Sequence, residues 1–428
     1  MLRYYIWTIG CQMNKAESLK IAGFLDSAGY LNSDSFRNAD VTVLNTCAVR
    51  QSAENKVTGM LGLLKGLQKE RPNMSILLTG CFNGSNVDEL KRRFPQVTLF
   101  FAPGDYSVLI EWLERQSYNL ITNPQQMRIN EIKRPICFPV PIIQGCNNFC
   151  SYCIVPYRRG REISRPIREI TGEVTSLVKE GIKEVTLLGQ NVNSYGHDLP
   201  GQPDLADLLN ELNNISGLAR IRFLTNHPKD MSLKLIKAMS SLDKVCEHLN
   251  LALQSGDDKL LEAMKRGYTV EYFRGLVNVI RQYIPQISLS TDIIVGFPGE
   301  SDEQFERTYT LLEDIAFDLV HVAVYSPRPG TLAWRKYKDD ITMELKKKRF
   351  NEIERLQEGI SARKNHYYQG KIVEVLVEGK KKGKWYGRSR NDKLTFFEED
   401  EDCEGKILSV EVEKTSSWAL QGKVRYNN

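Results

Sequence analysis

The sequence predicts an α/β protein in three parts: an N-terminal open parallel sheet, a central partial (β/α)6 barrel and a small C-terminal antiparallel β-barrel. Three observations predict it. From residue 1 to about 125, short β-branched apolar runs alternate with amphipathic stretches, the pattern of buried parallel strands joined by helices. Near residue 138 a second series of strand and helix signals begins. Residues 369–428 instead form short strand-like runs broken by glycine turns, as in small closed β structures. A chain of 428 residues is also too long for one ordinary domain.

In the first part, strands are expected at 4–9, 41–46, 75–80 and 99–101, with helices at 16–28, 51–68 and 107–116. Residues 119–134 carry no clear period and contain Asn123-Pro124-Gln125-Gln126, so they read as a linker. The second series places strands at 138–143, 184–188, 220–224, 249–253, 288–295 and 319–325. Helices are expected between them at 170–179, 205–212, 233–239, 260–264, 272–283 and 303–313. Such alternation means parallel βαβ units. Six strands are fewer than the eight that close a full barrel, so a partial barrel follows. A long helical pattern at 343–367 ends it, and strands at 371–377, 394–397, 406–412 and 420–425 follow. The domains are thus 1–118, a linker at 119–134, 135–367 and 368–428.

Cysteine placement carries the chemistry. Cys146, Cys150 and Cys153 lie in Gly-Cys-Asn-Asn-Phe-Cys-Ser-Tyr-Cys, which puts three thiolates on one tight loop after the first strand of the central barrel. A cluster meant only for electron transfer takes four cysteines; three leave one iron open to a ligand that is not protein. The alternatives are a zinc site or a redox dithiol, but zinc sites pair C-x2-C with a second pair or with histidines, and none stands nearby. Cys11, Cys47 and Cys81 each end a predicted strand of the first part. In open α/β sheets ligands gather at the carboxyl ends of strands, so these three are expected to converge and hold a second cluster. The alternative is chance burial of free cysteines, which are commonly buried. Cys137, Cys246 and Cys403 show no ligand spacing and read as structural.

Composition sets the compartment and partners. With 41% hydrophobic residues the chain can bury substantial cores, yet it contains no apolar run long enough to cross a membrane. The first apolar run reads directly as a strand, so no secretory leader is expected. Nine cysteines, an odd number in a large chain, fit free thiols in a reducing cytoplasm better than a disulfide framework. The net charge of +5 permits a nucleic-acid partner. In the C-terminal part Lys380, Lys381, Lys382, Lys384, Arg388, Arg390 and Lys393 surround Trp385 and Tyr386, a single-strand RNA footprint or else a solvated hairpin. Arg158, Arg159, Arg161 and Arg165 make a second basic run, readable as phosphate contacts or a solvated face.

The cysteine loop, with Tyr152 before its last cysteine, resembles that of the radical S-adenosylmethionine enzymes. Gly-Cys-Gln-Met-Asn at 10–14, Leu-Asn-Thr-Cys-Ala-Val-Arg at 44–50 and Thr-Gly-Cys at 79–81 resemble the N-terminal domain of the methylthiotransferases. Residues 387–397 look like part of a TRAM domain. Together, and with Val155 to Glu162, these segments resemble the tRNA branch that forms 2-methylthio-isopentenyladenosine. The chain departs from the family pattern at Asn226, Ala252 and Leu332.

The resemblance implies two [4Fe-4S] clusters. One, on Cys146, Cys150 and Cys153, cleaves S-adenosylmethionine to a 5′-deoxyadenosyl radical. The other, on Cys11, Cys47 and Cys81, carries the sulfur to be inserted at carbon 2 of isopentenyladenosine beside the tRNA anticodon. A second S-adenosylmethionine supplies the methyl group. Tyr152 and Ile154 are expected at the adenine of S-adenosylmethionine, with Gly189, Gln190, Gln254, Ser255 and Gly296 walling the pocket. The implied partners are tRNA, an electron donor such as a flavodoxin or ferredoxin, and a sulfur donor; the chain is expected to be monomeric. Rival readings are methylthiolation of threonylcarbamoyladenosine or of a ribosomal-protein aspartate, a radical enzyme without sulfur transfer, and a non-catalytic iron–sulfur RNA-binding protein.

Overall fold

The computed structural model describes residues 1–47, 51–83, 87–117 and 135–426. The linker expected at 119–134 lies outside them. The chain divides into two compact units: residues 1–133, 144–162 and 328–331, and residues 134–143, 163–327 and 332–428.

The first unit is an open parallel sheet. Its elements run β1 (Arg3–Thr8), α1 (Gln12–Ser27), β2 (Leu31–Asn32), β3 (Val41–Thr46), α2 (Gln51–Glu70), β4 (Ser75–Gly80), α3 (Val87–Arg93), β5 (Leu99–Phe100) and α4 (Ser107–Ser117). Strand order is β2-β1-β3-β4-β5, every pairing parallel. Every residue of β3 is buried because both faces are covered. Tyr4, Val41, Val43 and Leu77 pack on one side with Ile21 and Leu25 of α1. Leu44, Ile76 and Leu78 pack on the other with Val57, Leu61 and Leu64 of α2. This is why these strands read as continuous apolar runs.

Further along the chain come β6 (Cys137–Pro141), β7 (Ile143–Gln144), α5 (Val155–Arg159), β8 (Ile163–Ser164), α6 (Ile167–Lys179), β9 (Glu184–Leu188), α7 (Leu205–Asn213), β10 (Arg220–Phe223), α8 (Leu233–Ser241) and β11 (His248–Asn250). They continue with α9 (Asp258–Ala263), α10 (Val270–Tyr283), β12 (Ser288–Val295), α11 (Asp302–Ile315), β13 (Leu319–Val324), α12 (Leu332–Lys336) and α13 (Met343–His366). The parallel sets β10-β9-β6 and β11-β12-β13 are joined by single bridges at Ile221–Val245 and Asn226–Leu251. They form the expected six-stranded partial barrel around one apolar core.

The strand β11 stops short of the expected 249–253. The Thr291 hydroxyl donates to the Leu251 carbonyl at 2.7 Å and accepts from the Leu253 amide at 3.0 Å, so a side chain replaces the ladder there.

Last come β14 (Ile372–Lys381), β15 (Lys384–Ser389), β16 (Leu394–Phe397), β17 (Ile407–Thr415) and β18 (Leu420–Val424), a closed barrel ordered β14-β15-β16-β18-β17. Its pairings are antiparallel except β16 with β18, which run parallel. The acidic segment between β16 and β17 is followed by β17's long course, which brings β18 back in the direction of β16.

Candidate active site

Cys47 and Cys81 directly follow the carboxyl ends of β3 and β4, and Cys11 lies just past that of β1, beyond Ile9 and Gly10; the three strands are adjacent. Their loops are tied by a buried amide network. Asn14 donates Nδ2–H to Asn45 Oδ1 at 2.8 Å and to the Thr46 carbonyl at 3.2 Å. Its Oδ1 accepts from the Cys11 amide and thiol, both at 3.3 Å. Asn45 returns a bond to the Asn14 carbonyl at 2.7 Å, and the Thr46 hydroxyl donates to the Thr79 carbonyl at 2.6 Å. The Gly-Cys-Gln-Met-Asn and Leu-Asn-Thr-Cys segments therefore hold each other.

Glycines allow the close approach. A Cβ on Gly10 would lie 3.1 Å from the Cys47 Cβ, and one on Gly80 would lie 2.2 Å from the Thr46 carbonyl oxygen. Cys47 and Cys81 are buried and Cys11 is exposed. Burial pushes the Cys81 thiol up to about 11, with Arg159 pulling the other way and Cys47 close enough to add to the rise. Three cysteines outside any disulfide, at neighbouring strand ends, are a donor set suited to an iron–sulfur cluster. Among the described residues no three His, Cys, Asp or Glu side chains close around a single-ion position.

The loop of Cys146, Cys150 and Cys153 belongs to the same unit. It is a folded turn. The Cys146 amide donates to the Gly160 carbonyl at 3.2 Å and the Cys153 amide to the Cys150 carbonyl at 2.9 Å. Asn147 donates its amide and side-chain nitrogen to Glu162 at 3.1 Å each. Gly145 has φ +83°, and a Cβ there would meet the Arg161 carbonyl oxygen at 1.9 Å; only glycine lets the loop close. Phe149, at φ 47°, packs edge-on against Tyr157 and lies 4.4 Å beneath the Arg161 guanidinium. Tyr152 is half-buried and Ile154, which precedes α5, is buried. None of the three loop cysteines is in a disulfide.

The basic run read either as phosphate contacts or as a solvated face; two of its members are instead engaged internally. Arg159 is buried against Glu17 and Cys81. Arg165 bridges Glu169, Glu173 and the Pro141 carbonyl. Charge alone does not reveal burial.

In the second unit, Gly189 and Gln190 follow β9, Gln254 and Ser255 follow β11, and Gly296 follows β12. All lie at carboxyl ends of barrel strands, where ligand sites of βα barrels are built. A Cβ on Gly189 would strike Ile143, and one on Gly296 would strike Lys346. Gln254 adopts φ 77° while its amide donates to the Asp292 carbonyl at 2.7 Å. Ser255 is buried, and its hydroxyl accepts from the Asp257 amide.

Sequence reasoning placed Asn191 on the pocket wall beside Gln190 and marked Asn226 as a departure from the family pattern, but it did not single out His227. Among the described residues, Asn191 Oδ1, Asn226 Oδ1 and His227 Nε2 are buried without a hydrogen-bond partner. Their pattern, polar residues just past apolar strands, was available in the sequence. His227 Nδ1 accepts from the Lys229 amide at 3.3 Å, which leaves the proton on Nε2. Burial, with Arg266 and Lys229 adding to it, pushes His227 down to about 2. Its folded pKa lies below the unfolded value near 6.5, so its contribution to stability is full above pH 6.5 and is lost as pH falls. Between pH 7 and 5 the wild type should lose about 2 kcal/mol more than His227→Gln in urea unfolding.

The C-terminal barrel uses part of its basic patch to dock on the rest of its unit. Arg390 pairs with Glu247 at 2.8 Å and Lys393 with Asp318 at 2.8 Å. Trp385 is buried, donating Nε1–H to the Glu399 carbonyl, so it offers no face for base stacking. Lys381 and Lys382, at the turn joining β14 and β15, are exposed. Lys380 lies 5.0 Å from the Trp385 ring.

Known proteins resemble each part of the chain. Residues 140–312 match the Radical SAM superfamily, residues 3–102 an uncharacterized protein family, UPF0004, and residues 367–424 the TRAM domain. A tRNA-2-methylthio-N(6)-dimethylallyladenosine synthase of Dehalococcoides mccartyi is 49% identical over 98% of both chains. Proteins of the same name from Dictyoglomus thermophilum and Herpetosiphon aurantiacus are 47% and 46% identical, covering 99% of this chain and 99% and 97% of theirs. Among solved structures, the radical S-adenosylmethionine methyltransferase TsrM of Kitasatospora setae aligns with a TM-score of 0.55 at 15% identity, covering 78% of this chain and 77% of that one. The cobalamin-dependent S-adenosylmethionine radical enzyme OxsB gives 0.52 at 11%, covering 83% and 56%. Those two likenesses show the fold alone.

Proposed function

We infer the reaction from the family to which this chain belongs, the tRNA-2-methylthio-N(6)-dimethylallyladenosine synthases of the radical S-adenosylmethionine superfamily. The chain is an enzyme, a tRNA methylthiotransferase that uses S-adenosylmethionine and a [4Fe-4S] cluster. Its product is a methylthio group at carbon 2 of the isopentenylated adenosine beside the anticodon. In our reading it carries two clusters, one on Cys146, Cys150 and Cys153 and one on Cys11, Cys47 and Cys81. The observation that carries this reading is the second cysteine trio, at the ends of three adjacent parallel strands. When bound, the cofactors supply one-electron chemistry that reaches an unactivated C–H bond, together with the sulfur and the methyl group.

The chain's own residues hold and orient. Asn14, Asn45 and Thr46 fix the three strand-end loops, and Glu162 fixes the turn of the second loop. Tyr152, Ile154, Gly189, Gln190, Gln254, Ser255 and Gly296 are assigned to S-adenosylmethionine. Asp292 and Thr291 on β12 shape that wall through their bonds to residues 250–254. The remaining roles are assigned on chemistry: a low-potential electron donor such as a flavodoxin or ferredoxin, a sulfur donor, a monomeric enzyme and a cytoplasmic setting. Among the described residues no helix is long and apolar enough to cross a membrane.

Anaerobic reconstitution tests the cluster count. Wild type should hold about eight irons per chain, and Cys11, Cys47 and Cys81 changed together to Ala should hold about four. A wild-type plateau near four contradicts the two-cluster reading.

For tRNA, the hairpin lysines are the exposed part of the basic patch. Lys380, Lys381 and Lys382 changed together to Ala should weaken tRNA binding. The slope of log K against log salt should fall by about 0.7–0.9 for each phosphate that is no longer neutralised. Unchanged affinity and slope would reduce the hairpin to a solvated surface.

A further inference from the structure

Arg159 ends α5, just past the loop of Cys146, Cys150 and Cys153, yet its side chain reaches the other cysteine trio. Its Nε–H donates to Cys81 Sγ at 3.1 Å. Its Nη1 donates to Glu17 Oε1 at 2.6 Å and its Nη2 to Glu17 Oε2 at 3.4 Å. The side chains are only 2% and 5% exposed, and all three residues belong to the first unit. Glu17 stands on α1, the helix that Cys11 opens.

A buried guanidinium needs a counter-charge, and Glu17 supplies one. The guanidinium fork still turns one N–H away from that carboxylate and onto a sulfur. A charge-assisted bond of this kind draws electron density from its acceptor. Hydrogen bonds to cysteine sulfur and local net charge are the means by which a protein moves an iron–sulfur potential.

We propose that Arg159 and Glu17 form a charge pair that sets the reduction potential of the cluster held through Cys81. Arg159 is a positioning residue acting through that sulfur, and Glu17 limits its pull. The proposal rests on the assignment of Cys11, Cys47 and Cys81 to a cluster.

The two halves of the pair act with opposite sign. Arg159→Gln removes the cationic donor and leaves a carboxylate beside the sulfur, so the oxidised cluster is favoured and the potential moves negative. Glu17→Gln leaves the guanidinium uncompensated, so the added electron is stabilised and the potential moves positive. A pair that served packing alone would move the potential the same way in both variants, since each breaks the same buried contact.

The test uses the full chain with Cys146, Cys150 and Cys153 changed to Ala, so that one cluster remains. Its midpoint potential is read by electron paramagnetic resonance during anaerobic redox titration. The expected result is a negative shift for Arg159→Gln, a positive shift for Glu17→Gln and a smaller negative shift for Arg159→Lys. Shifts of one sign, or none, overturn the charge-pair proposal while leaving the cluster in place. A background protein that takes up no iron removes the cluster assignment itself, and the proposal with it. Should Arg159→Gln fail to load iron, the signs for Glu17→Gln and Arg159→Lys decide, and they must still be opposite.

Discussion

With Cys11, Cys47 and Cys81 changed together to Ala, the enzyme should still release 5′-deoxyadenosine from S-adenosylmethionine while forming no 2-methylthio product. The separation follows from where the residues sit. The three cysteines cap β1, β3 and β4, whereas the loop of Cys146, Cys150 and Cys153 closes through its own bonds to Gly160 and Glu162. Alanine should be tolerated at the three strand ends because the network of Asn14, Asn45 and Thr46 uses amide and hydroxyl groups; the sulfur bonds given up are the weak Cys11 thiol bond and the Arg159 bond to Cys81, and Arg159 keeps its pairing with Glu17. The lost quantity is therefore sulfur transfer, by several orders of magnitude, rather than fold. Liquid chromatography of the two products in one reaction mixture reads both. A variant that still methylthiolates would move the sulfur site elsewhere.

The largest stability effect is expected at Arg222. Its Nε donates to Glu184 at 2.9 Å, and its Nη1 and Nη2 donate to the carbonyls of Arg390 and Ser389 at 2.8 and 2.7 Å. Both Arg222 and Glu184 are buried. Arg222→Ala leaves Glu184 as a buried carboxylate without its cation and strips two carbonyls of their donor. Breaking one side of such a pair costs about 3–5 kcal/mol. Arg388→Ala, at a partly exposed pair with Asp392, should cost no more than about 1 kcal/mol. Urea unfolding of the two variants side by side makes the comparison. Equal losses would mean that the C-terminal barrel is not anchored through Arg222.

The strands buried on both faces were the most legible. Val41–Thr46, Ser75–Gly80, Glu184–Leu188 and Ser288–Val295 stand at the residues their apolar runs marked, and so does Leu394–Phe397, where burial alternates. Two-residue strands such as Leu31–Asn32 carry too short a pattern to see. The early end of β11 could not be read either, because a threonine on a different strand takes over its bonds. The placement of the cysteines was legible because their positions relative to strands and to one another are local facts. The partners of charges were not. Arg159, Arg165, Arg390 and Lys393 look alike in sequence to exposed arginines and lysines, and only tertiary packing decides that each meets a carboxylate. Asn14 and Asn45 were visible as part of a resemblance, and their physical reason, a mutual amide clasp beneath three cysteine loops, emerges only from the fold.

The most direct measurement is nucleoside mass spectrometry of isopentenylated tRNA treated with the reconstituted full-length enzyme, a strong reductant and S-adenosylmethionine. The account predicts conversion of isopentenyladenosine to its 2-methylthio derivative, no change in threonylcarbamoyladenosine offered in parallel, and loss of conversion when either cysteine trio is replaced. Unaltered isopentenyladenosine, with S-adenosylmethionine cleaved or with threonylcarbamoyladenosine modified instead, would contradict it.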